Sequence, residues 1–481
     1  MSLGPRLSVR TPTRRSLLAA LATSLATSLS SSPGIAQIHP TDLTIPFTKS
    51  VLPNGLVVVL SEDHAVPQVA VNVSYTVGSR MERPGRTGFA HLFEHLMFMG
   101  TRRAPTKAFD AWMEQGGGRN NAWTAEDRTD YFDIGPSTTL PLLLWLEADR
   151  MRDLGPLIDK EKLDLQRDVV RNERRQSIEN RPYGVEELVL PTLLWPDWHP
   201  YHHPVIGSHE DLEAAAVDDV KQFFATWYDP ANASLVVAGD FDPQRAHDLL
   251  DRWFASIPSR GKPVDPGAPP PSAAPSGSST LTTVVRKTLT DDVELAKVTL
   301  AWQSPAHFEP GDAEMDLLAS VLSNGKASRL YKTLVYDRKI AQTVTATQDS
   351  HRLGSAFVVE ATVRPSVDPK VVEQALFDEI AKLRAQEVTA EEIERARNEF
   401  EMAFVDRLQA LPERASLLNM YQAEIGNPGY VQSDLNRYRG ATARELLVRA
   451  KQVLTPGAVV VLTIVSKKDV SKKDVSKKDV K

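Results

Sequence analysis

The chain has no cysteine. Disulfides, thiolate-held zinc and thiol nucleophiles are therefore excluded, and any metal must be held by His, Asp or Glu. A glycine-rich phosphate cradle is missing too, because SNGKASRL at 323–330 lacks the flanking glycine spacing of a P-loop. No apolar run is long enough to span a bilayer stably. Positive charge is scarce: the net charge is −6, and it lies near −14 once an N-terminal segment with four Arg and a Lys-rich tail are set aside. Such a body is a poor surface for nonspecific nucleic-acid binding.

What is present has the balance of a soluble globular protein, with 42% hydrophobic and 25% charged residues. At 481 residues, two or three domains are expected. Residues 1–36 read as an export signal: Arg14 and Arg15 precede a weakly apolar Leu/Ala/Thr/Ser run that ends at the small-residue site Gly34-Ile35-Ala36. The paired arginines suggest the twin-arginine route and a periplasmic mature protein. Residues 263–279 form a Pro/Ser-rich linker, and 466–481 a Lys-rich repeat tail with no apolar face. Between them lie two pieces, 45–262 and 280–465. Each opens on β-rich runs, passes through helical stretches and closes on a helix and a strand. Strands and helices mix without strict βαβ alternation, so the expected class is α+β, with two related domains built from mixed sheets packed by helices.

One stretch concentrates chemistry. TGFAHLFEHLMFMG at 87–100 follows the turn signal ERPGR, and its apolar residues at 89, 92, 93, 96 and 97 recur at helical spacing. Positions i and i+4 stack one turn apart, so His91 and His95 can face a common ion. Glu94 sits about 100° round the axis, near enough to act on a group at that ion without being a ligand. The same spacing would also suit two hydrogen-bonded core histidines beside an unrelated glutamate. A catalytic zinc needs a third protein ligand. The best donor lies in the helical stretch 160–180, where Leu163, Gln166, Val169 and Val170 form an inward stripe that Glu173 continues. A carboxylate on that face calls for a compensating cation.

With these residues the sequence resembles the insulinase and pitrilysin family of inverted-motif zinc peptidases, which includes the mitochondrial processing peptidases. The resemblance rests on His-x-x-Glu-His at 91–95, on Glu173 lying 78 positions after His95 within QRDVVRNE, and on GGGRNNAWTAEDRTDYFDI, HPYHHPVIG and NGKASRLYKTL. It implies two domains of an α/β-roll type and one zinc per chain, held by His91, His95 and Glu173. It further implies Glu94 as general base turned acid in peptide hydrolysis, and Asn121 and Ala122 on an edge strand that pairs with an extended peptide substrate.

Two departures from the family pattern stand out. Gln166 takes the place of a supporting glutamate seven residues before Glu173. Val335 and Gln342 stand where active relatives carry an Arg and a Tyr that orient the substrate carbonyl and oxyanion. The resemblance therefore implies a heterodimer, in which a homologous non-zinc partner supplies that pair. The alternative is a non-catalytic structural or peptide-binding subunit of the same fold. His199, His202 and His203 read as a structural loop rather than a second metal site. Trp112, Trp123, Trp145 and Trp195 read as core or groove residues, and 388–404 as an amphipathic helix with Ile393, Ala396, Phe400 and Phe404 on its buried face.

Overall fold

The structure is a computed structural model that describes residues 42–265 and 281–468. The expected signal and nearly all of the expected linker and tail lie outside the described residues. Ser466, where the tail was expected to begin, is instead the last residue of a strand and pairs with Asp291.

Among the described residues, two mixed sheets organise the chain. The first contains β1 (Thr48–Val51), β2 (Val57–Glu62), β3 (Gln68–Tyr75), β4 (Arg119–Thr124), β5 (Thr129–Pro136) and β6 (Ala233–Gly239), in the order β1-β2-β6-β3-β5-β4. The second contains β7 (Val284–Asp291), β8 (Lys297–Ser304), β9 (Ala341–Asp349), β10 (Ser355–Val363) and β11 (Val459–Ser466), in the order β7-β11-β8-β10-β9. In each, the closing strand of the half enters the middle of the sheet and pairs in parallel with an early one, β6 with β2 and β11 with β7. Such runs of Val, Leu and Ile are buried on both faces, and so lack polar alternation.

Helices cover one face of each sheet, and the other face receives a helix from the opposite half. Leu411–Ile425 lies across the first sheet, with Ala415 and Leu418 against Val59, Ala70 and Val236. Its Asn419, with no exposed surface, donates to Asn72 Oδ1 at 2.5 Å and to the Ser234 carbonyl at 3.2 Å. In the reverse direction, Val185–Leu194 leads onto the second sheet, where Leu194 and Trp195 join Ala301, Val460 and Leu462. No described helix is long and apolar enough to cross a membrane.

The motif helix, Phe89–Leu96, is only eight residues long and would not persist alone. Packing holds it. Phe89, Leu92, Phe93 and Leu96 are buried, each stabilising by about 1.5–3 kcal/mol, and the Phe93 ring lies 4.2 Å from that of Tyr228. Gly88 begins the helix at φ +86°, where an added Cβ would stand 2.7 Å from the Ile206 carbonyl oxygen, so only glycine fits. The first backbone donors find a carboxylate: Gly88 and Ala90 N–H donate to Glu82 at 2.8 and 2.7 Å.

Candidate metal centre

Three elements converge beside the first sheet. The motif helix contributes His91, Glu94 and His95. The helix Lys160–Glu173, capped by Asp159, packs against it through Leu163 and Val170 and ends on Glu173. Edge strand β4 passes alongside. An open cavity of about 690 Å³ is lined by the two histidines, Glu94, Glu173, Gln166 and the β4 residues from Asn120 to Thr124.

His91 Nε2 and His95 Nε2 are 3.3 Å apart, and Glu173 Oε2 lies 3.8 Å from the first and 3.2 Å from the second. Tetrahedral zinc with ligand bonds of about 2.0–2.1 Å needs neighbouring ligand atoms about 3.3 Å apart, so these three atoms fit the ion. They form the one group of three or more His and acidic side chains among the described residues with this convergence. The donor set of two imidazoles and a carboxylate suits zinc well, and manganese or cobalt acceptably.

The protonation state of His91 agrees with that use. Burial and the neighbouring His95 pull His91 down to about 4, so its imidazole is neutral, as a ligand must be. Burial pulls most strongly on His95, but its hydrogen bond with Glu173 together with the charges of Glu173 and Glu94 outweighs this and raises it. The same bond holds the Glu173 carboxyl below its ordinary range. Glu94 is 9% exposed, and burial raises its carboxyl above the usual range. Thr124 Oγ1 donates to Glu94 Oε2 at 2.6 Å, which leaves Oε1 free to exchange a proton.

Asn121 and Ala122 lie on β4, paired only with β5, so the other side of that strand is open. Gln166 lines the cavity, supports the charged form of His95 by a hydrogen bond, and donates to Met99 Sδ at 2.7 Å. The expected inward stripe needs one correction. Val169 is 40% exposed, and Leu165 beside it 52%; the Glu173 carboxylate itself keeps 41% of its surface at the cavity mouth. Val335 is buried and Gln342 exposed on β9, and neither presents a guanidinium or a phenol. The three loop histidines are structural: His199 stacks on Trp195 at 4.2 Å, His202 Nδ1 pairs with the Trp195 carbonyl at 2.7 Å, and His203 lies 3.7 Å from Glu82. Sequence reasoning did not single out Thr124. The signal available was the two-residue period of a strand, which puts it on the same face as Ala122.

Comparison with known proteins agrees with this picture. Residues 57–196 match the family described as Insulinase (Peptidase family M16), and residues 215–400 the Peptidase M16 inactive domain. The latter span begins after the last residue of the site. The chain is 30% identical over 371 residues to the zinc protease PqqE of Helicobacter pylori, covering 77% of this chain and 82% of that protein. It is 27% identical over 410 residues to an uncharacterized zinc protease of Streptomyces coelicolor, covering 84% and 87%. A crystal structure of a protease from Helicobacter pylori matches with a TM-score of 0.80 at 24% identity, over 88% of this chain and all of the other. The periplasmic protease PqqL from Escherichia coli matches with a TM-score of 0.71 at 18% identity, over 90% of this chain and 49% of its own. By motif, fold and relatives alike, the chain belongs to peptidase family M16, the insulinase family.

Proposed function

We propose that the chain is the zinc-bearing subunit of an endopeptidase or oligopeptidase. The observation that carries this reading is the convergence of His91, His95 and Glu173 within tetrahedral spacing, with a buried carboxylate one turn position away and an open strand edge beside it. A divalent ion held by the three side chains would supply Lewis acidity toward a peptide carbonyl and a water. An extended peptide adds to the free edge of β4 at Asn121 and Ala122, and main-chain pairing of this kind tolerates varied side chains. Glu94, oriented by Thr124, takes a proton from the attacking water on Oε1 as the oxygen adds to the carbonyl carbon. It then passes that proton to the nitrogen as the C–N bond breaks.

The second part of the proposal is a partner. Val335 and Gln342 carry neither a guanidinium nor a phenol, so a homologous chain without the metal motif supplies the Arg and Tyr. The match of this chain to about half of PqqL supports a two-chain assembly. Arg14, Arg15 and the Ala36 site support export to the periplasm, which fractionation of the native host tests.

The experiment is Glu94→Gln, assayed on a fluorogenic peptide with and without the co-purifying partner. Metal content is expected to stay at one ion per chain while hydrolysis is lost. An unchanged rate removes Glu94 as the base, and full activity of the chain alone removes the partner.

A further inference from the structure

The segment after Glu173 leaves ordinary helical winding at once. Asn180 N–H bonds the Arg175 carbonyl five residues back, the wider π-helical turn that concentrates at functional sites. Ser177 Oγ donates to the Glu173 carbonyl at 2.6 Å, and Ile178, 4% exposed, lines the metal cavity. Gly184 packs so tightly on this turn that an added Cβ would lie 1.9 Å from the Ile178 carbonyl oxygen.

Tyr183, just before it, sits at φ +65°. For a bulky side chain this left-handed conformation is an outlier, and it persists only where the surroundings over-determine it. Here the surroundings come from the other half of the chain. Tyr183 N–H donates to Asp291 Oδ2 at 2.9 Å, its hydroxyl donates to the Leu295 carbonyl at 2.8 Å, and Lys297 Nζ stands 5.2 Å from its ring centre. The following helix is fixed likewise, with Glu186 bonded by Thr299 and Lys297.

We propose that the metal-free second half positions Glu173, through the Asp291–Tyr183 clamp, to complete the metal site. The inference rests on the metal-centre reading above. The two histidines are 12% and 21% exposed on a helix buried by its own half, so that pair is set locally. Glu173 is the last residue of its helix and more exposed, so the direction taken by the following turn sets its reach. Tyr183 and Asp291 are thus positioning residues, and the half that carries no ligand delivers the third one.

The test measures zinc affinity of the full chain by chelator competition, together with the melting temperature of metal-stripped protein. Asp291→Ala and Tyr183→Ala are expected to raise the zinc Kd at least fivefold. Asp291→Asn, which keeps a carbonyl acceptor for the Tyr183 N–H, is expected to stay near the parent. A smaller rise in the alanine variants overturns the inference, as does an equal rise in Asp291→Asn. Should Tyr183→Ala fail to fold, the Asp291 pair decides. A parent chain that binds no zinc overturns the metal-centre reading and this inference with it.

Discussion

Replacing Thr124 by Val tests whether Glu94, the proposed catalytic carboxylate, must be held as well as present. Val keeps the β-branched shape that suits a strand, so Asn121 and Ala122, three and two residues away, keep their places on the edge. What is lost is the 2.6 Å bond from Thr124 Oγ1 to Glu94 Oε2. A hydrogen bond to a charged group is worth about 1.5–3 kcal/mol, and about 1.4 kcal/mol corresponds to a tenfold change in rate. Only the part that differs between ground and transition state slows the reaction, so this range is a ceiling. With zinc saturating, kcat on a fluorogenic peptide is expected to fall between about 5- and 100-fold. KM should change little, because the strand edge that binds substrate is intact. Thr124→Ser, which restores the hydroxyl, should recover most of the rate. A kcat for the Val variant within twofold of the parent, or a Ser variant as slow as the Val one, refutes the reasoning.

His351 gives a pH prediction. It lies past the end of β9, between Asp349 and the β4–β5 turn, with the Tyr201 ring 5.4 Å away. Burial would lower it, but the bond with Asp349 and the charges of Glu126, Asp349 and Asp127 raise it to about 9. Its unfolded value is near 6.5, so the stabilisation is complete below that pH and is lost as pH rises through 9. At about 1.4 kcal/mol per unit the ceiling is about 3 kcal/mol, reduced by solvent screening at the exposed Asp349. Urea midpoints at pH 6 and 9.5 should therefore diverge less in His351→Gln than in the parent, and an identical pH dependence removes the stabilising role of the His351–Asp349 pair. Glu82→Ala should cost about 2–4 kcal/mol, since it leaves two backbone donors at the start of the motif helix unpaired. Glu82→Gln keeps an acceptor and should cost less by the same denaturation assay; equal losses contradict a capping role.

The convergence of His91, His95 and Glu173 was legible because each constraint on these residues is local or periodic. His91 and His95 share a helix face by the i, i+4 rule, and Glu173 continues a stripe that Leu163 and Val170 bury. The edge position of β4 was legible from family likeness rather than from the strand itself, since a strand's own residues say little about which neighbour it lacks. Val169 was misplaced because a helix beside an open cavity buries a narrower stripe than one inside a core, so a residue only one step off the stripe meets solvent. Contacts across large sequence separation were not legible at all. Asn419 bonding β3 and β6 from 347 and 185 residues away, and Tyr183 held by Asp291, depend on how the two halves meet.

One plan also yields a candidate metal centre in one half and, among the described residues, no such group in the other. The second half again crosses two helices beside its sheet, Asp312–Ser323 and Ala390–Gln409. Near the end of the first of these, Ser320 and Asn324 stand i, i+4 as the histidines do, and Glu399 faces them from the second. Both donate to one carboxylate oxygen, Ser320 Oγ at 2.7 Å and Asn324 Nδ2 at 2.9 Å. A hydroxyl and an amide facing a carboxylate satisfy it outright as hydrogen-bond donors. An imidazole differs, because a neutral ring carries one donor and one acceptor nitrogen, so one of a facing pair can turn a lone pair toward the carboxylate. With His95 bonded to Glu173 and His91 neutral, the arrangement keeps a ring lone pair beside a carboxylate, which a cation can take. The difference between the halves thus lies in the donor or acceptor character of two side chains on a shared frame.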